Sequence, residues 1–124
     1  MSCLVEKHTH NHTILITFQC KEFGASALLN CSRFDQGRLT LFKTGGIILL
    51  VKLLGAPAET VVFYAISTLH NLLQFQEGAK IAIRSAGGIQ KMVPLLRRKD
   101  PKFLAIRESL LHYRYNRKRC TGRQ

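Results

Sequence analysis

The stretches FKTGGIILLVKLL at residues 42–54 and IRSAGGIQKMVPLL at residues 83–96 are two copies of one pattern. Six positions of the first copy, Gly45, Gly46, Ile47, Val51, Leu53 and Leu54, return 42 residues later as Gly87, Gly88, Ile89, Val93, Leu95 and Leu96. Shorter matches pair DQG with QEG, FYAI with FLAI and LLN with LHN, at offsets of 40 or 41 residues. A period of about 40 residues is typical of helical solenoid repeats.

Each repeat is predicted to contain three helices, separated by glycine and proline. In the first repeat the three helices are predicted at residues 38–43, 47–54 and 60–75. In the second repeat they are predicted at residues 79–85, 89–96 and 102 to about 113. The glycine pairs supply the sharp turn between the first two helices, and Pro57 and Pro101 open the third. The sequence therefore predicts an all-α solenoid fragment with about two three-helix repeats and part of a third.

The repeats also predict how the chain is divided. The expected parts are an atypical, poorly ordered head (1–24), a partial repeat (25–36), two complete repeats (37–76 and 77–115) and a basic tail (116–124). Stacked repeats generally need polar capping units at their ends. We therefore expect apolar surface to be exposed at the ends of this short array.

The chain is strongly basic, and the charge is concentrated toward its C-terminal end. The formal net charge is +12, and residues 97–124 carry ten Lys or Arg against two acids. This bias indicates an anionic partner, such as an acidic peptide, a nucleic acid or a membrane surface, unless the tail is simply solvated. The cluster at residues 114–123 is of the kind that contacts phosphates, but no nucleic-acid-binding fold accompanies it. Nucleic acid is therefore the less favoured partner.

No catalytic, metal or cofactor motif is evident. A nucleophile beside a base and a glycine-rich phosphate loop are both missing, so the chain is predicted not to be an enzyme and to need no cofactor. Three alternate histidines at residues 8–12 lack an acid or thiol that would complete a metal site. The four widely spaced cysteines indicate reduced thiols in an intracellular protein. No apolar run reaches the roughly 18 residues that a membrane-spanning helix needs.

The long predicted helix at residues 60–75 has one apolar side and one mixed side. The apolar positions, spaced by three and four residues, are predicted to face the core: Val62, Ala65, Ile66, Leu69, Leu72 and Leu73. Two other stripes are predicted to lie opposite the core and to line a concave surface: Phe63, Ser67 and His70, and Tyr64, Thr68 and Asn71. The Asn71 amide there is suited to bonding a peptide backbone. Alternatively, Asn71 braces the neighbouring repeat and His70 is merely exposed.

Several of these segments resemble the armadillo repeats of the β-catenin/Armadillo family, in the region of its third and fourth repeats. The resemblance is carried by residues 42–54, by FYAISTLHNLL at 63–73, by QEGAK at 76–80 and by AGGIQKMV at 86–93. It covers roughly residues 28–106, about two thirds of the chain. Importin-α-type adaptors share the repeat plan but carry a Trp ahead of the Asn, and this sequence has no Trp. The resemblance implies a right-handed superhelix whose basic groove binds extended acidic segments.

The resemblance also implies partners and binding residues. Partners in the family are cadherin cytoplasmic tails, T-cell-factor-type transcription factors, α-catenin and destruction-complex scaffolds. These imply roles in cell adhesion, Wnt signalling and transcriptional coactivation, in the cytoplasm, the nucleus and adherens junctions. The groove positions carried over by motif are Phe63, Tyr64, His70, Asn71, Lys102, Phe103, Ala105 and Ile106. Because the chain is short and departs from the family after Ile106, a nonfunctional or competing truncation product is the alternative.

Overall fold

The computed structural model describes residues 19–121, with side chains described to residue 112, and this part of the chain contains helices and short connections without a strand. The helices are α1 (residues 19–31), α2 (Asp35–Lys43), α3 (Gly46–Leu53), α4 (Glu59–Phe75), α5 (Ala79–Ser85), α6 (Gly88–Leu96) and α7 (Pro101–Thr121). Helices α2–α4 and α5–α7 form two successive repeats, and α1 precedes them. The all-α prediction is confirmed.

The glycine pairs combine a sharp turn with close packing. Gly45 and Gly87 adopt φ values of +78° and +76°, in the left-handed region that favours glycine. The second glycine of each pair is buried at the start of α3 or α6. A Cβ on Gly46 would lie 2.8 Å from the carbonyl oxygen of Leu41, and one on Gly88 would lie 2.6 Å from Cγ2 of Ile83. The predicted turn between the first two helices of each repeat is therefore present, and both glycines are needed for it.

One hydrophobic core runs through both repeats. The six apolar positions predicted on the long helix all lie in it, and Leu50, Ile83 and Phe103 join them from α3, α5 and α7. Helix α4 packs against α3 in its own repeat and against α5 and α7 in the next. The two repeats are thus joined by continuous apolar packing.

Helix α1 joins the first repeat through a smaller apolar cluster. Ala25 packs there with Ala58 and Val61 at the start of α4. Because α1 spans residues 19–31 as one helix, the predicted boundary between head and repeats at residue 24 falls inside it. The histidine cluster at residues 8–12 lies outside the described residues.

Two predicted helix limits were wrong. Helix α2 begins at Asp35 instead of residue 38, since Gly37 is accommodated inside the helix. A Cβ on Gly37 would lie 1.9 Å from the carbonyl oxygen of Cys31, so only glycine permits this approach of α2 to α1. Helix α7 continues to Thr121, past the predicted end near 113 and the predicted tail boundary at 115, because no Gly or Pro interrupts residues 102–121.

Candidate functional site along α4 and α7

Helices α4 and α7 meet through a small polar cluster and an aromatic pair. Nε2 of His70 lies 2.8 Å from Oγ of Ser109, and Nε2 of Gln74 donates to the same oxygen at 2.8 Å. The ring of Phe63 meets that of Phe103 edge to face, with centroids 6.2 Å apart. We define the α4–α7 surface as the exposed and half-buried residues along these helices: Phe63, Tyr64, His70, Asn71, Gln74, Lys102, Ala105 and Ser109.

The hydrogen bonds at Ser109 fit a neutral His70. Because Gln74 donates to the Ser109 oxygen, the hydroxyl proton of Ser109 is free to be donated to Nε2 of His70. Burial lowers the pKa of His70 from its ordinary value of 6.5, since desolvation penalises the charged imidazolium. His70 thus serves as a half-buried hydrogen-bond acceptor between two repeats.

The side chain of Asn71 braces the preceding part of the chain. Its Nδ2 donates to Oγ of Ser32 at 2.9 Å, and that hydroxyl donates to the carbonyl oxygen of Leu29 at 2.6 Å. The structure therefore shows the bracing contact that the sequence left as an alternative. Within residues 19–112, Oδ1 of Asn71 accepts no hydrogen bond, so one polar atom of the amide remains available.

A buried arginine completes this brace, and its position was missed in the sequence. Arg38 is 6% exposed, donates from Nη1 to the carbonyl oxygen of Ser32 at 2.7 Å and forms an ion pair with Asp35. Its guanidinium lies 4.9 Å from the centroid of the Phe75 ring at the end of α4. Arg38 thereby holds the α1–α2 junction against α4, and only its spacing of three residues from Asp35 hinted at a pairing.

Lys102 occupies an exposed position in the first turn of α7. Asp100 caps this helix by accepting a hydrogen bond from the Lys102 backbone nitrogen at 3.1 Å, and Pro101 is the first helical residue. A cation at a helix N-terminus opposes the helix dipole. The Lys102 ammonium therefore does not stabilise α7, and within the described residues it forms no ion pair.

Three residues predicted on the binding side are buried. Phe103 is fully buried and Ile106 is 7% exposed, because both side chains pack into the shared core. Thr68 is also fully buried and donates from Oγ1 to the carbonyl oxygen of Tyr64 at 2.7 Å. These side chains support the α4–α7 surface from below and have little area to offer a ligand. Lys102 and Ala105 are the exposed members of the predicted KFLAI positions.

The described region offers few other chemical features. Residues 19–112 contain no group of three side chains suited to holding a metal ion. Cys20 and Cys31 are free thiols on the exposed side of α1. None of the helices within residues 19–121 combines the length and apolar character required to cross a bilayer.

Comparison with known proteins decides the family. No protein-family model matches the chain. The chain is 53% identical over 102 residues to junction plakoglobin of Homo sapiens, and 55% identical over 106 residues to catenin beta of Urechis caupo. The chain belongs to the β-catenin/Armadillo family. The matches cover 82% and 86% of this chain, which spans only 13% and 12% of the length of these relatives.

The fold agrees with this relationship. A chain from a study of the phosphorylation switch that controls the interaction between cadherin and beta-catenin matches with a TM-score of 0.68 and 29% sequence identity. The match covers 74% of this family member and 17% of the other chain. The helices of the present chain therefore form armadillo repeats.

Proposed function

We propose that this chain is a non-catalytic protein-interaction module that holds an extended acidic segment of a partner across the α4–α7 surface. The observation that carries the proposal is the pairing of two adjacent long helices, α4 and α7, in a close relative of plakoglobin and β-catenin. The matching solved structure concerns the interaction between cadherin and beta-catenin. A cadherin cytoplasmic tail is accordingly the first partner to test.

The amide, the ammonium and the aromatic rings on this surface have distinct roles in this proposal. The free Oδ1 of Asn71 accepts a backbone N–H of the bound segment, while Nδ2 keeps its bond to Ser32. The Lys102 ammonium pairs with a carboxylate of the segment. The half-buried rings of Phe63 and Tyr64 provide apolar area for a neighbouring side chain.

His70 and Ser109 act as support in the same proposal. Their hydrogen bond fixes the spacing of α4 and α7, which sets the width of the surface that the segment crosses. Phe103 and Ile106 underlie this surface through the core. We expect their substitution to reduce binding only by destabilising the fold.

The proposal extends to further partners and cellular roles that the family resemblance implies. T-cell-factor-type transcription factors, α-catenin and destruction-complex scaffolds are further proposed partners, since acidic segments of these proteins would meet the same net charge of +12. Wnt signalling and transcriptional coactivation, with locations in the cytoplasm, the nucleus and at junctions, belong to this proposal. Competition with a longer relative for such segments is the alternative outcome.

The test is fluorescence anisotropy of a labelled, acidic cadherin-tail peptide titrated with the full chain. The variants Lys102→Ala and Lys43→Ala remove one exposed lysine each, on and away from the α4–α7 surface. We expect Lys102→Ala to weaken binding about two- to five-fold, as for a solvent-exposed ion pair, and Lys43→Ala to change it less. Equal losses in both variants would mean that only the overall charge attracts the peptide.

A second arm compares a T-cell-factor-type peptide with a single-stranded oligonucleotide of similar charge. Tight binding of the oligonucleotide, lost when the basic residues at 114–119 are changed to Gln, would favour nucleic-acid binding by the tail. A helical, soluble chain that binds none of these probes would contradict the proposed function.

A further inference from the structure

Helix α6 exposes an apolar stripe whose counterpart on α3, in the preceding repeat, is buried. Ile89, Val93 and Leu96 follow one another at spacings of four and three, so they share one side of the helix, and we call them the α6 stripe. Ile89 and Val93 are 38% and 40% exposed, and Leu96 is half-buried. The equivalent residues of α3, 42 positions earlier, are Ile47, Val51 and Leu54, and their exposures are 4%, 3% and 5%. The same stripe is thus buried in one repeat and open in the next.

The first repeat shows what covers such a stripe. Helix α3 packs against α5 of the following repeat. Cγ2 of Val51 would lie 3.0 Å from a Cβ on Gly88, the first residue of α6, so the two repeats are in close contact there. The surface that buries Val51 is therefore helical, and the α6 stripe presents the same residue pattern to solvent.

The surroundings of the α6 stripe are cationic. Residues 77–100 contain six Lys or Arg against two acids, Glu77 and Asp100 at the ends of this range, and Arg97 directly follows the stripe. Of these cations, Arg98 forms an ion pair with Glu59 at 3.7 Å, whereas Arg84, Lys91 and Arg97 form none within residues 19–112. A second copy of the chain would bring the same positive charge and would be repelled.

We propose that the α6 stripe docks an acidic amphipathic helix of a partner protein. The apolar side of that helix would cover Ile89, Val93 and Leu96 in the way that the second repeat packs on Val51 of α3. Asp and Glu beside its apolar side would face the cations that border the stripe. This surface belongs to α6, so its occupation does not depend on the extended segment proposed for α4 and α7.

The test uses the full chain with isotope-labelled Ile, Leu and Val methyl groups and a designed helical peptide. The peptide carries leucines at i, i+3, i+4 and i+7 and glutamates elsewhere, and a matched peptide has every Glu replaced by Lys. We expect the acidic peptide to shift the methyl signals of Ile89 and Val93, and the basic peptide to leave them unchanged. Absence of these shifts at millimolar acidic peptide, or equal shifts with the basic peptide, would overturn the proposal.

Two variants distinguish specific binding at the α6 stripe from nonspecific hydrophobic association. Val93→Asn changes a stripe residue that is partly exposed, whereas Ile81→Asn changes an exposed aliphatic residue on α5. We expect Val93→Asn to weaken binding of the acidic peptide roughly tenfold, because buried apolar area is lost, and Ile81→Asn to leave it within about twofold. Lys102→Ala should have no effect, which distinguishes this surface from the α4–α7 surface. Self-association that Val93→Asn abolishes would instead identify a second copy as the occupant and overturn the proposal.

Discussion

Asn71 of α4 donates a hydrogen bond from Nδ2 to Oγ of Ser32, 39 residues earlier, at a distance of 2.9 Å. Ser32 is fully buried, and its carbonyl oxygen accepts a hydrogen bond from the guanidinium of Arg38. One residue pair therefore ties the long helix of the first repeat to the junction between α1 and α2. A polar pair in an apolar helix, such as His70 and Asn71, need not be reserved for ligands, because here both side chains hydrogen-bond residues outside their own repeat.

The Asn71–Ser32 contact predicts a measurable coupling energy. Asn71→Ala should lower the free energy of unfolding by about 1 kcal/mol, since the Ser32 hydroxyl keeps its bond to Leu29. In a double-mutant cycle with Ser32→Ala, urea unfolding should give a coupling of roughly 0.5–1.5 kcal/mol. Strictly additive losses would mean that the bond contributes nothing to stability, and Asn71 would then be available for ligands alone.

Glycine at position 88 is predicted to be required by packing. Gly88→Ala would place Cβ 2.6 Å from Cγ2 of Ile83 and 3.0 Å from Cγ2 of Val51, so the contact between repeats must open. We expect a loss of about 1–3 kcal/mol in the free energy of unfolding, as for overpacked cores. Thermal unfolding followed by circular dichroism would show it.

Gly24→Ala is the matched control for Gly88→Ala. A Cβ at Gly24, inside α1, would meet nothing within 4 Å. Alanine restricts the unfolded chain and favours the helix, so this variant should gain about 0.5–1 kcal/mol. Equal losses at both glycines would refute the role assigned to packing at Gly88.

The burial of Phe103 predicts that its removal affects folding before it affects binding. Phe103→Ala should cost about 3–5 kcal/mol of stability, because a fully buried aromatic side chain is deleted from the core shared by both repeats. Leu111→Ala, at a position that is 54% exposed, should change stability by no more than about 0.5 kcal/mol. A Phe103→Ala chain that folds normally but no longer binds the peptide would show that Phe103 takes part in binding directly.

Periodicity predicted the core of this chain but not all of its contacts between repeats. The spacing of Val62, Ala65 and Ile66 marked the buried side of α4 because one helix determines that pattern by itself. The burial of Thr68 depends on tertiary packing, and its hydroxyl is satisfied by the backbone of its own helix, which makes burial possible. Ser109 became part of the site because it faces His70 from another repeat, a relation that no local spacing encodes.

The half-buried His70 predicts how stability changes with pH. Burial lowers the pKa of this imidazole in the folded chain below its ordinary value of 6.5. The unfolded chain therefore binds a proton at a higher pH than the folded chain does. Stability should be fully present above pH 6.5 and should fall as the pH drops through 6.5 toward the lower pKa of the folded state, where the loss levels off.

This loss should disappear when His70 is replaced. In His70→Gln, the side-chain amide cannot titrate but can still bond Ser109, so urea midpoints between pH 7.5 and 5.5 should become nearly constant. His112→Gln is the control, since His112 is exposed on α7 and lies outside the cluster. It should retain the pH dependence of the parent chain. If His112→Gln removed the dependence and His70→Gln kept it, the titrating group would not be the histidine between α4 and α7.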